Sequence, residues 1–147
     1  MAIKGIDVIL AEVSDLFDSL VGPGQLQANL DHPPLASELE GRSPVHSIHY
    51  DGSLPQFGGN RSTQSDHFWR STLYLNRRGH GSAVTETLMA QLVTAVLQIV
   101  RDNVTGTNFD EISLVAGQRI APAFVEIDGV PYRIVEIPLQ TRTHDNG

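Results

Sequence analysis

The chain has 147 residues, with 10 Lys plus Arg against 17 Asp plus Glu for a net charge of -7, and no cysteine. That length predicts one domain able to build a real core, and the missing cysteines exclude disulfides, thiolate catalysis and Cys-type zinc sites. The acidic balance argues against a broad basic face that wraps nucleic acid, and because only 18% of residues are charged, much of the surface is neutral and polar.

No signal-peptide pattern opens the chain, and no apolar run approaches the ~18 residues of a membrane span, which predicts an aqueous, cytosol-like setting. Ile6, Ile9, Leu10, Val13, Leu16, Phe17 and Leu20 recur at the helical period and predict an amphipathic helix. Val21-Gly22-Pro23-Gly24 ends it. Residues 22–44, with Pro33 and Pro34, are expected to form a long loop with at most a helical turn at 36–40. A weakly alternating strand follows over 45–50. Residues 51–66 are rich in Gly, Ser, Asn and Gln and predict a second long loop, the kind that serves a contact or stays disordered.

Phe68, Trp69, Thr72, Leu73, Tyr74 and Leu75 predict a strand over 67–76. The connector Arg77-Arg78-Gly79-His80-Gly81 leads to Ser82, a natural N-cap for a helix over 82–101. Three strands are expected over 111–120, 123–127 and 130–139. Asp128-Gly129 joins the last two in the sequence that a type I′ hairpin favours. Pro131 and Pro138 cannot donate to a ladder, so their positions are expected to face away from a partner or lie on an edge. The polar residues 140–147 are expected to form a loose tail. The element order predicts a single α+β domain: a mainly antiparallel sheet, two principal helices packed on it, and a C-terminal β-hairpin.

The second helix carries an unusually broad apolar arc. Val84, Leu88, Ala95 and Ile99 form an ordinary core stripe beside Leu92, while Met89, Val93, Val96, Leu97 and Val100 extend it to half the circumference. Between 82 and 100 the helix has one charge, Glu86. A single small sheet does not cover that much surface. The second cover is either the first helix or another subunit, and the extending residues are the candidate subunit interface. Arg77 and Arg78 join them as partners for acids of a neighbouring subunit.

Other chemistry is thin. His46 and His49 lie three apart in a strand and point to opposite faces, which leaves His49 with Asp51 as a meagre metal pair. Arg77 to Ser82 precedes a helix N-terminus that suits an anion, yet the glycines match neither the dinucleotide fingerprint nor the P-loop. No G-x-S-x-G elbow is present. No catalytic, metal or cofactor set is assigned.

Together the opening helix, the aromatic strand, the broad helix and the closing hairpin with Asp128-Gly129-Val130-Pro131-Tyr132-Arg133 resemble the tail terminator proteins of long-tailed phages, also called tail completion or neck proteins. The resemblance implies a non-enzymatic virion protein, made in the host cytoplasm. In that family a homohexameric ring caps the tail tube and joins it to a head-side connector or stopper protein. DNA would pass through the ring without sequence-specific binding. Two alternatives remain at this point: a small metal- or phosphate-binding enzyme using His49, Asp51 and the 77–82 segment, and a monomeric adaptor.

Overall fold

Three long strands alternate apolar and polar residues and so present one apolar face, on which both principal helices lie in the computed structural model. It describes residues 5–23, 25–59, 62–76 and 82–146. In order these form α1 (Ile6–Asp15), a 3-10 turn (Asp18–Leu20), β1 (Ala28–Leu30), α2 (Ala36–Leu39), β2 (Val45–Phe57), β3 (Ser62–Asn76), α3 (Ser82–Asp102), β4 (Glu111–Leu114), β5 (Ala121–Ile127) and β6 (Val130–Asn146). The sheet runs β1-β2-β3-β6-β4, and β5 also pairs with β6. The β1–β2 pair is parallel and the others are antiparallel. The fold is α+β, as the element order predicts.

The period of two decides which side chains are buried. Ile48, Trp69, Leu73, Leu75, Val135, Ile137 and Leu139 face the helices and meet Ile9, Val13 and Phe17 from the α1 segment and Met89, Leu92, Val96 and Val100 from α3. Each fully buried side chain of this kind stabilises the fold by about 1.5–3 kcal/mol. Trp69 also donates from Nε1 to Thr141 Oγ1 at 2.9 Å, so its polar edge is satisfied inside the core. On the opposite face a smaller cluster of Leu39, Val45, Tyr132 and Ile134 sits under α2.

Three expectations need correction. Residues 22–44 are not one loop, because β1 adds to the sheet beside β2, and α2 covers the second cluster. Residues 51–66 are mostly strand: β2 continues to Phe57 and β3 begins at Ser62. A bulge between Tyr50 and Ser53, where Gly52 adopts φ +108°, shifts the alternation by one residue and hides it from a period-two reading. The 140–147 segment is not a loose tail, since β6 pairs with β3 as far as Asn146. Its side chains are polar because small Thr141 and Thr143 occupy the buried positions. Conversely, the strand expected over 111–120 stops at Leu114.

The Asp128-Gly129 turn is present, with φ of 53° and 77° at its two residues. Pro138 sits inside the long strand β6 rather than on an edge. Val115 N donates to Pro138 O and Asp110 N to Arg142 O, so the even-numbered residues of this part of β6 turn toward β4 and β5. Position 138 falls in the gap between the end of β5, paired at Glu136, and the start of β4, paired at Leu139. The missing N–H therefore costs no ladder bond.

Candidate subunit interface

Helix α3 meets the sheet through a stripe at the 3-4 spacing: Thr85, Met89, Leu92, Val96 and Val100 are all buried. The structure thus reverses the assignment within the arc. Met89, Val96 and Val100, taken from the sequence as interface residues, are core residues of the same chain, and Val93 and Leu97 flank them half-buried. Val84, assigned to the core, is instead 58% exposed, and Leu88, Ala95 and Ile99 form the half-covered shoulder. The two flanks are similarly apolar, so a helical wheel fixes the width of the arc but not its centre. A charge contact fixes the centre: Glu86, on the Val93 and Leu97 side, reaches Arg133 of β6 with Oε1 to Nε at 2.9 Å. Arg133 in turn lies over the Phe124 ring, 4.1 Å from its centroid.

The outward shoulder holds a furrow. Ala83, Val84, Thr87, Leu88 and Gln91 line a shallow cavity of about 330 Å3, and Leu88 and Gln91 are shared with an adjoining cavity of about 210 Å3 between α3 and Leu20 and Gln25. None of these residues is charged. By length and composition Ala83–Asp102 is apolar enough to cross a membrane, with mean hydropathy 1.5, contrary to the expectation from the sequence, yet only 28% of that window is buried within the chain. Its buried stripe packed on the sheet makes it a core helix with an apolar shoulder that the described residues cover only in part.

The sheet edges are less suited to association. With even residues of β6 facing β5, Ala121, Ala123, Val125 and Ile127 bond to β6, which leaves Pro122, Phe124 and Glu126 facing outward. The same alternation carried across β3 turns Ser53, Pro55 and Phe57 of β2 outward, beyond the point where β1 ends. The outward edges of β5 and of the distal part of β2 thus each have a proline where an added strand needs a donor, which blunts strand addition there.

The open face of the sheet is charged, and its arginines are paired within the chain. Arg70 bridges Asp51 at 2.8 Å and Glu136 at 2.6 Å, Arg142 bonds Asp66 at 2.8 Å, and His144 bonds Asp110 at 2.6 Å. Hydrogen bonds to Asp51 and then Glu136 raise the Arg70 pKa above its ordinary value, as that to Asp66 does for Arg142. These pairs are exposed in part or in full, and surface pairs of this kind contribute little to stability. They commit the two arginines to carboxylates of the same chain.

The histidine candidates separate. His46, on the helix side, is fully buried: Nδ1 bonds Asn29 Oδ1 at 2.7 Å and Nε2 bonds Ser71 Oγ at 2.6 Å. Its ring also stands 4.6 Å from that of Phe17. Asn29 donates its amide hydrogens to Ser14 O and Asp18 Oδ1, both at 2.8 Å, which turns its oxygen toward His46. His46 therefore carries its hydrogen on Nδ1, and burial lowers its pKa to about 3. His49 lies opposite Arg70 on the other face, and Asp51 is engaged by Arg70. Among the described residues no group of three or more His, Asp or Glu side chains is placed to hold a metal ion. Arg77 and Arg78 lie outside the described residues, as does the whole 77–81 connector. The residues that sequence reasoning missed, Ala83, Thr87 and Gln91, carry no signal beyond their lack of charge. Comparison with protein families and with curated proteins finds no match for the chain.

Proposed function

We propose that this chain is a structural subunit of a phage tail or neck, assembling into a homohexameric ring that terminates the tail tube and joins it to a head-side connector or stopper protein. The observation that carries the reading is the apolar shoulder of α3 at Val84, Leu88 and Ala95, which the described residues leave exposed or only half-covered, next to a well-packed core. A surface of this kind is covered in the working state or promotes aggregation. Prolines on the outward edges of β5 and distal β2 favour side-chain contacts over strand pairing there. An acidic protein whose open-face arginines are tied to carboxylates suits a passage that lets DNA move without holding it.

The test is to add the purified protein to tail tubes lacking their terminating ring and to image the tube ends. A ring on one end, lost with Val84→Asp, is expected. A protein that never binds the tubes contradicts the proposal.

A further inference from the structure

The groups that enclose His46 do not hold it equally. Its Nε2 meets Ser71 in a buried contact, and Ser71 lies in β3, which pairs with β2 and β6 along most of its length. The ring of Phe17, itself fully buried in the main core, covers it from the helix layer. On the remaining side Nδ1 meets Asn29 of β1, and this contact is only partly buried. β1 is a three-residue strand at the end of the sheet with β2 as its one neighbour. We infer that the strap from Gln25 to Leu30 is an acid-released flap, which lifts from β2 and lets water and a proton reach His46 while the rest of the sheet stays paired.

The strap is the element that gives way most readily. Lifting it breaks the short parallel pairing with Val45, His46 and Ser47, the bond from Gln27 N to Pro44 O at 2.8 Å and that from Leu26 N to Leu20 O at 3.0 Å. It uncovers one fully buried side chain, Leu26, since Ala28, Asn29 and Leu30 are already half-exposed. Reaching His46 from another side means parting β3 or the helix layer, which amounts to unfolding the domain. Protonation drives the release. In the neutral ring Ser71 Oγ donates to Nε2, so a proton there sets donor against donor and leaves a charge without water. Among the described residues no carboxylate touches the ring: Asp18 reaches it only through the Asn29 amide, and Asp15 is exposed on α1. β1 and the facing stretch of β3, Ser71 to Leu73, have no ionisable side chain, and His49 and Arg70 lie on the other face of the sheet. His32, just past the strap, holds Asp31 and Glu38 more firmly as pH falls, so it does not drive the release. Gln25 lines the cavity between α3 and Leu20 that adjoins the furrow, so the lifted strap takes part of that wall with it.

The test is hydrogen exchange followed amide by amide from pH 7 to 5, corrected for intrinsic rates, in the wild type and in His46→Gln. Leu26 and Gln27 report the strap, and Leu73 and Ile137, in β3 and β6, report global unfolding. At each pH the strap amides should open more often than Leu73 and Ile137. Their opening constant should rise about tenfold per unit below roughly pH 6 in the wild type and stay level in the variant. Strap amides that open only as often as Leu73 and Ile137 would show that the fold opens as a whole. Strap amides without a pH slope would show that His46 stays covered, and a slope kept in His46→Gln would place the titrating group elsewhere. Each of these results overturns the inference, and the first two are read from the wild type alone, whether or not the variant folds.

Discussion

The neutral state of His46 makes the fold sensitive to acid in a defined window. The side chain is fully buried between Asn29 and Ser71, and its pKa is lowered to about 3 from an ordinary 6.5. Between those values the unfolded chain binds a proton that the native chain does not. Stability is thus fully present above pH 6.5 and falls as pH drops toward 3, by about 1.4 kcal/mol per unit. From pH 6.5 to 5 the expected loss is ~2 kcal/mol, a sizeable share of the 5–15 kcal/mol typical of a domain. The assay is urea denaturation at pH 7.5, 6.5, 5.5 and 5.0 of the wild type and of His46→Gln, which does not titrate. His32 acts with the opposite sign: hydrogen bonds to Asp31 and then Glu38 raise its pKa, so its contribution is full below 6.5 and fades as pH rises through the folded value. That effect is common to both proteins and cancels in the difference. Parallel loss of stability in wild type and variant would refute the reasoning.

Val96→Asp, at a position with no exposure, should abolish folding, while Val84→Asp, at 58% exposure, should leave the thermal melt within about 1 °C of wild type and remove assembly. Gly129→Ala places a side chain at φ 77° and should destabilise the hairpin by about 1–2 kcal/mol in urea titration. Glu12 accepts from Thr107 N at 3.1 Å and Asn108 N at 3.0 Å. Glu12→Ala should cost about 1–3 kcal/mol and speed hydrogen exchange at those two amides.

Much of the architecture is legible in the sequence because local chemistry and tertiary role agree there. The 3.6 period of Ile9, Val13 and Phe17, and the αL preference of Asp128-Gly129, give the same answer locally and in the fold. Legibility fails where a long-range partner decides. The Ser, Gln and Thr of the β2–β3 hairpin and the end of β6 have no apolar alternation to announce them, and they are strands because three strands of the chain pair there. On α3 the ambiguity is rotational. Two apolar flanks differ little in sequence, and only the Glu86–Arg133 contact across 47 positions shows which one turns to the sheet. The interface residues expected at Met89, Val96 and Val100 therefore lie about one third of the helix circumference from the furrow at Val84, Leu88 and Gln91.

The central claim, that the shoulder of α3 exists to be covered by another copy, is tested most directly by measuring mass by light scattering across a dilution series. The chain has a mass of 16.0 kDa. The account predicts a species near six times that mass that dissociates steeply on dilution, and a single-chain mass for Val84→Asp. A wild type that runs as one chain throughout the series and on addition of tail tubes would contradict it.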